Sequence, residues 1–433
     1  MLDLKLIRQE PDRVRAAIAA KGMAVDLDRL LHLDAERRDL LGEVEALKHE
    51  RNEVSRQVGE LKRRSGDLGD RAERMRRVGD MIKALAERER TLNTEIEELL
   101  AWVPNMLHPS VPPGSSAADN VVVRVEGEPP QLEAPVRDHL ELGEMLGILD
   151  FPRAAKISGS GFSVLRGQGA RLERALISYM LDLHTSRHGY EEVLTPVLAR
   201  PSCLFGTGQL PKLREDMYYV SGDDAFLIPT AEVTITSLYG GETLQEEVLP
   251  LKHVGYTPCF RREAGAAGRE TRGLLRLHQF DKVELVKFSH PDRSYEEHEL
   301  LLADAEAVLK HLGLHYRVIA LCAADLSFAA AKCYDLEVWA AGEQRWLEVS
   351  SCSNFEDFQA RRLGIRMRPT DGGKSRYCHT LNASGTALPR LMVAFLEHYQ
   401  TPEGTVRVPE VIRPYLGGAS ELGLEPVVAV RRS

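Results

Sequence analysis

Along the first hundred positions apolar residues recur in alternating steps of three and four. Of positions 30, 33, 37, 40, 44, 47, 51, 54, 58 and 61, eight are apolar: Leu30, Leu33, Leu40, Val44, Leu47, Val54, Val58 and Leu61. A second run passes through Met75, Val78, Ile82, Leu85, Leu92, Ile96, Leu99 and Val103, with Glu89 as its one polar interruption. Steps that average 3.5 residues lay a continuous apolar stripe along a helix, so two long helices are expected over about 27–103. Between them Ser65 to Gly69 is turn-forming, and the simplest arrangement is an antiparallel coiled-coil hairpin. At 1.5 Å per residue each arm would reach about 50 Å. Periodicity alone favours a dimerisation zipper or a spacer, because most heptad seams only join helices.

The Pro-rich stretch from Val103 to Ser116 ends the second helix and reads as a linker. It divides the chain into an N-terminal domain, 1–110, and a larger domain, 111–433. Beyond it the pattern changes. Residues 170–188 keep helical periodicity, Gly189 is a stop, and Glu192 to Pro196 reads as a strand. Further on, alternation of period two predicts strands over 259–263 and 276–284, joined by a glycine-rich basic loop, 264–273. The alternation puts Arg261 and Glu263 on one face of the first strand. On the second it groups Arg276, His278, Phe280, Lys282 and Glu284.

Composition narrows the class without naming it. The 433 residues carry a net charge of −9, with 43% hydrophobic and 28% charged residues, as in an ordinary folded domain pair and unlike a disordered chain. No apolar run approaches the roughly 20 residues needed to cross a bilayer, and the first residues lack the basic start and apolar stretch of a signal peptide. The expected location is therefore cytoplasmic. The cysteines at 203, 259, 322, 333, 352 and 378 stand singly, so buried reduced thiols are expected rather than a zinc site.

Charge changes the reading of the hairpin. Residues 48–77 hold ten Lys/Arg against six Asp/Glu, a local charge of +4 on an acidic protein. A basic arm suits a polyanion steered by phosphate charge, although alternating charges also occur on ordinary solvated helices. In the larger domain the strand face offers arginine forks, a phenyl ring and carboxylates, an inventory that suits a nucleotide. Taken alone, such a face is also the ordinary wet side of a half-buried sheet. Glu348 and the hydroxyls near it, at the end of a strand over 345–348, suit Mg²⁺ held mainly by ATP phosphates. Arg390 falls in the first turn of an apolar helix over 391–397.

Taken together and in this order, these segments resemble a class II aminoacyl-tRNA synthetase, and closely a bacterial-type seryl-tRNA synthetase. The likeness covers essentially the whole chain. It includes the hairpin, Gly206 to Lys212, Pro229 to Glu232, Cys259 to Glu284, Tyr334 to Trp339, Glu348 to Asn354, Asp357 to Arg362 and Thr380 to Arg390. It implies an α+β fold: an antiparallel β-sheet catalytic domain with flanking helices, plus the N-terminal α-helical hairpin.

The resemblance also implies roles. Arg261 would hold the α-phosphate of ATP and Glu263 the adenine amine, with Arg390 and Phe280 on either side of the base. These three charged residues, Arg261, Glu263 and Arg390, form the expected catalytic set. Arg276 would reach the γ-phosphate, and Leu277, Val349 and Ser350 would complete the ATP site. Glu348 and Ser351 would bind Mg²⁺, which requires the strand to bend or end there, since a regular strand turns them to opposite faces. Thr230, Ala231, Glu232, Arg261, Glu284 and Ser384 would recognise L-serine. No zinc is implied.

The hairpin would grip the long variable stem of tRNA(Ser), and of tRNA(Sec) where one exists, with Arg51, Arg56, Lys62, Arg63, Arg64, Arg71, Arg74 and Arg77 as contact candidates. Helix 170–188 through Pro196 would form the interface of a homodimer. Three alternatives remain at this level. One is a second seryl-tRNA synthetase serving antibiotic biosynthesis or self-resistance. Another is an amino-acid:carrier-protein ligase, which would lack the hairpin. The last is a non-catalytic paralogue, which would have lost Arg261, Glu263, Glu348 or Arg390.

Overall fold

The computed structural model describes residues 1–63, 70–133, 135–264 and 272–423. It divides into two compact units, Met1–Pro104 and Asn105–Ser433. In the first, two short helices, α1 (Leu4–Gln9) and α2 (Pro11–Ala20), precede the long helices α3 (Leu27–Arg63) and α4 (Arg71–Leu100). Asp26 starts α3 by accepting from the Arg29 amide at 2.9 Å, which satisfies one of the amides left open at a helix start.

Leu30, Leu33, Leu40, Val44 and Val54 of the first seam and Val78, Leu92 and Ile96 of the second are buried, so the heptad reading holds over both arms. Three ion pairs fix the direction. Arg29–Glu95, Arg88–Glu36 and Arg74–Glu50 each have residue numbers that add to 124, so one antiparallel register runs the length of the pair. Helix α4 ends at Leu100, short of the expected Val103, because Val103 precedes Pro104 and a residue before proline is pushed out of the helical region. The expected turn, 65–69, lies outside the described residues.

The second unit is built on an eight-stranded sheet. Its strands are β1 (Val121–Glu126), β2 (Glu191–Glu192), β3 (Leu251–Phe260), β4 (Gln279–Ser289), β5 (Tyr316–Ala320), β6 (Lys332–Ala340), β7 (Arg345–Asn354) and β8 (His379–Ala387). The order across the sheet is β1-β5-β6-β7-β8-β4-β3-β2, and every pairing is antiparallel except β2 with β3. Helices α5 (His139–Met145), α6 (Gly167–Arg187), α7 (Ser294–His311) and α8 (Leu388–His398) accompany it. Helix α6 ends just before Gly189, whose φ of +72° suits glycine best. The strand expected over 192–196 is confined to Glu191–Glu192.

Period two in β4 separates two environments. Val283 and Leu285 join the core formed with Leu172, Leu176 and Met180 of α6, Leu301 and Leu309 of α7, and Leu391 and Phe395 of α8. Val286 and Phe288 turn to a second apolar cluster with Ala231, Ile235 and Met367. On that alternate face Phe280, Lys282 and Glu284 open into a cavity. Helices hold one side of the sheet, leaving the middle of the other side for chemistry.

Candidate active site

The cavity encloses about 960 Å³ and is lined by β4, β6, β7, β8, the start of α8 and the segments 207–217, 229–232 and 261–277 as far as these are described. Most residues named from the sequence meet there: Thr230, Glu232, Arg261, Glu263, Arg276, Leu277, Phe280, Glu284, Glu348, Val349, Ser351, Ser384 and Arg390. Two do not. Ala231 is fully buried in the second apolar cluster, and the Ser350 hydroxyl is turned away to donate to the Ser384 carbonyl at 2.5 Å.

The backbone that presents Arg261 and Glu263 is not the expected strand. β3 stops at Phe260, and Glu263 has a φ of +52°, outside any strand conformation. Likewise β4 starts only at Gln279, so Arg276 and His278 belong to the segment that leads into it. Two bonds between these irregular stretches replace the ladder. The Arg261 amide donates to the His278 carbonyl at 2.9 Å, and the His278 ring meets the Arg261 carbonyl at 2.9 Å. Most of the basic loop, residues 265–271, lies outside the described residues. The Arg261 guanidinium sits 5.1 Å from the centre of the Phe280 ring, and Arg276 is ion-paired with Glu263.

On β7 the apparent conflict between Glu348 and Ser351 has a structural answer. The strand does not end at Glu348 but runs to Asn354, and its register against β6 skips one residue, pairing Glu337 with Glu348 and Leu336 with Ser350. Such a bulge shifts the alternation by one and brings both side chains to the same side. The Ser351 hydroxyl lies 3.3 Å from Glu348 Oε1 and donates to Asp335 Oδ1 at 2.6 Å. Burial, with Glu348 nearby, pushes the Asp335 carboxyl well above the usual carboxylate range. Arg390 donates from Nε to the Leu275 carbonyl at 3.2 Å and from Nη1 to the Glu348 carbonyl at 3.0 Å.

The opposite end of the cavity is a buried charge cluster. Glu284 is 1% exposed and is ion-paired with Lys282; the Thr230 hydroxyl donates to Glu284 Oε2 at 2.9 Å and accepts from Lys282 Nζ at 2.9 Å. Close pairing is what makes such charges tolerable away from water. Glu232 accepts from Gln359 Nε2 at 2.6 Å, and Gln359 in turn accepts from the Thr380 hydroxyl at 2.7 Å. Burial and the neighbouring Glu284 raise the Glu232 carboxyl to about 7. Two carboxylates, the Thr230 hydroxyl and the Gln359 amide, with Lys282 ion-paired with only one of the two acids, fit a small molecule bearing both a cation and a hydroxyl.

Lys282, Asp335, Gln359 and Asn382 also line or buttress the cavity but received no role from the sequence. Alternation already put Lys282 beside Glu284, and alternation in β6 could have exposed Asp335. Gln359 had no local signal, because its partners lie at 207, 232 and 380.

On the hairpin, Arg51, Arg56, Arg63, Arg71, Arg74 and Arg77 are exposed. Arg56 and Arg74 are also ion-paired, with Glu53 and Glu50. Arg64 and the side chain of Lys62 lie outside the description. No helix among the described residues is long and apolar enough to cross a membrane.

Known proteins resemble the chain over both of its units. Residues 1–107 match the seryl-tRNA synthetase N-terminal domain family, and residues 218–399 match the tRNA synthetase class II core domain (G, H, P, S and T). The serine–tRNA ligase of Caldanaerobacter subterraneus subsp. tengcongensis is 54% identical over 416 residues, covering 96% of this chain and 98% of the relative. That of Geobacter sulfurreducens is 50% identical over 423 residues, covering 98% of this chain and all of the relative. Among solved structures, seryl-tRNA synthetase from Pyrococcus horikoshii complexed with ATP superposes with a TM-score of 0.93 at 37% identity, over 98% of this chain and all of that one. The cytoplasmic serine–tRNA ligase of Naegleria fowleri in complex with AMP gives 0.88 at 28% identity, over 98% of this chain and 99% of that one.

Proposed function

The chain belongs to the seryl-tRNA synthetases, and from that premise we propose how its residues divide the work of joining serine to tRNA. The reaction is that of a class II serine–tRNA ligase: ATP and L-serine form seryl-adenylate and pyrophosphate, and a hydroxyl of the terminal adenosine of tRNA(Ser) then takes the seryl group. The observation that carries the reading is the two-ended cavity, with arginines and Phe280 at one end and the Thr230, Glu232 and Glu284 cluster at the other.

At the ATP end, Arg261 holds the α-phosphate and its guanidinium offsets the charge that grows on the phosphoryl oxygens as the serine carboxylate attacks. Arg261 lies against Phe280, and Glu263 and Arg276 hold each other. ATP therefore enters by exchanging partners: the base takes the face of Phe280, with Arg390 on its other side, Glu263 turns to the adenine amine and Arg276 to the γ-phosphate. Leu277 and Val349 supply apolar lining.

Glu348 and Ser351 fit a hard cation. Both present oxygen to one spot, and because the Ser351 hydroxyl donates its hydrogen bond to Asp335 behind it, its lone pairs are left facing the cavity. Mg²⁺ bound there with ATP would neutralise phosphate charge.

At the serine end, Glu232 and Glu284 take the ammonium and the hydroxyl, helped by Thr230 and Ser384. Alanine leaves a buried carboxylate without its hydroxyl partner, which is costly enough to give strong rejection. Because the Glu232 carboxyl is raised to about 7, it is partly protonated at neutral pH. An entering ammonium favours the ionised form, so KM for serine is expected to fall as pH rises from 6 to 8. Steady-state kinetics across that range check this, and Glu232→Gln is expected to flatten the slope while raising KM throughout.

The hairpin contributes phosphate and shape contacts to the tRNA rather than base readout. Leu194, 88% exposed just beyond α6 and β2, supports a homodimer formed through that region. The same reading carries a cytoplasmic location, where tRNA is charged. The intact hairpin disfavours a carrier-protein ligase, and intact Arg261, Glu263, Glu348 and Arg390 disfavour a non-catalytic paralogue. Charging of tRNA(Ser) transcripts with labelled serine tests the whole reading. Efficient charging supports it, and none from folded enzyme overturns it.

A further inference from the structure

Outside the cavity, among the described residues, one cluster has the composition of a metal site: His139, Glu343 and Glu397. His139 is the first residue of α5 and fully buried, while Glu397 lies in the last turn of α8 and is fully buried too. His139 Nδ1 lies 3.3 Å from Glu397 Oε1 and 3.4 Å from Glu343 Oε1. The other ring nitrogen, Nε2, accepts from the Leu274 amide at 3.3 Å. That bond settles the chemistry. A metal at Nδ1 would need the lone pair there and hence a proton on Nε2, facing an N–H donor. The cluster therefore works as a proton-bearing brace: Nδ1–H towards the carboxylates, Nε2 towards the backbone.

What the brace holds lies beside the cavity. Glu397 is itself fixed by three amides, His139 at 2.9 Å, Gly342 at 2.8 Å and Glu343 at 3.0 Å, and so is a rigid anchor. From it the imidazole reaches the segment that leads into β4. Leu274 is caught at its amide by His139, and the next carbonyl, Leu275, is caught by Arg390. Arg390 and Glu397 sit in the first and last turns of the same helix, so α8 grips one short segment from both ends, directly and through His139. Arg272 adds a third tie, 2.7 Å from Asp138, the residue that caps α5. Packing leaves no slack: Gly273 has a φ of +62°, and a Cβ there would stand 2.3 Å from His139 Nε2.

We propose that His139 is a positioning residue for ATP: by holding the Leu274 amide it sets the path of residues 273–277, which carry the Leu275 carbonyl, Arg276 and Leu277 into the nucleotide end of the cavity. This rests on the ATP reading above. The serine cluster hangs on β4, on Ser384 of β8 and on residues 230–232, whereas among the described residues the His139 ring bonds to Glu397 and the Leu274 amide.

The test compares His139→Gln, whose amide oxygen reaches the position of Nε2, with His139→Asn, whose amide reaches only that of Nδ1. KM for ATP, KM for serine and kcat are measured together with thermal unfolding. The expected result is that Asn raises KM for ATP about tenfold, leaves KM for serine within about twofold, and that Gln restores most of the loss. Glu397→Gln, which weakens the anchor with little change of shape, is expected to shift KM for ATP in the same direction. If Asn and Gln behave alike, if both KM values rise together, or if only the unfolding temperature moves, the proposal fails. Arg276→Ala in the same assay reports on the ATP reading alone: an unchanged KM for ATP there overturns that reading, whatever the His139 variants do.

Discussion

Arg261→Ala is expected to lower serine-dependent adenylate formation by about 10³-fold while the unfolding temperature stays within about 2 °C of the parent. Both halves follow from how the residue is held. Its backbone amide, not its side chain, joins the two irregular segments by bonding the His278 carbonyl, so truncation leaves the site's framework in place. The guanidinium itself is exposed at the cavity; among the described residues it makes a 3.4 Å bond to the Pro229 carbonyl and lies against Phe280, with Glu232 near enough to feel its charge. Its contribution is thus expected to appear when charge grows on the phosphoryl oxygens. Arg261→Lys keeps the charge but loses the planar fork, and a loss of about 10²-fold is expected. Single-turnover adenylate assays together with thermal unfolding check both. A loss of activity matched by a loss of stability would mean that the side chain supports the fold instead.

Shortening the hairpin should separate the two steps of the reaction. The constant register of Arg29–Glu95, Arg88–Glu36 and Arg74–Glu50 allows residues 48–77 to be removed and closed by a short Gly/Ser turn without disturbing the pairs nearer the base. Arg74–Glu50 goes with the deleted tip; the other two remain. Charging of tRNA(Ser) is expected to fall by about 10²–10³-fold, since the deleted part carries all the candidate phosphate contacts. Serine activation without tRNA should stay within about twofold. Parallel assays of charging and pyrophosphate exchange read this difference, and equal losses in both would place the effect on folding rather than on tRNA.

Much of the fold and the site is legible in the sequence because two kinds of periodicity are local. The 3.5-residue step in 30–61 and 75–99 needs no knowledge of the rest of the chain, and alternation alone groups Phe280, Lys282 and Glu284 on one face of β4. Alternation misleads where regular geometry stops. It treats Arg261 and Glu263 as strand residues, although β3 ends at Phe260 and Glu263 takes a positive φ. For Glu348 and Ser351 it signals a contradiction, which the bulge in β7 resolves. Contacts between distant segments leave no pattern to read. Gln359 buttresses Glu232 across 127 residues, and Glu397 anchors His139 across 258.

Serine-dependent exchange of labelled pyrophosphate into ATP, with alanine, threonine and glycine as controls, tests the central claim most directly. The two-ended cavity predicts rapid exchange with serine and at least about 10²-fold less with each control, because only serine fills both the cation and the hydroxyl positions without crowding them. Folded enzyme that binds ATP yet shows no serine-dependent exchange, or that exchanges equally well with alanine, would contradict it.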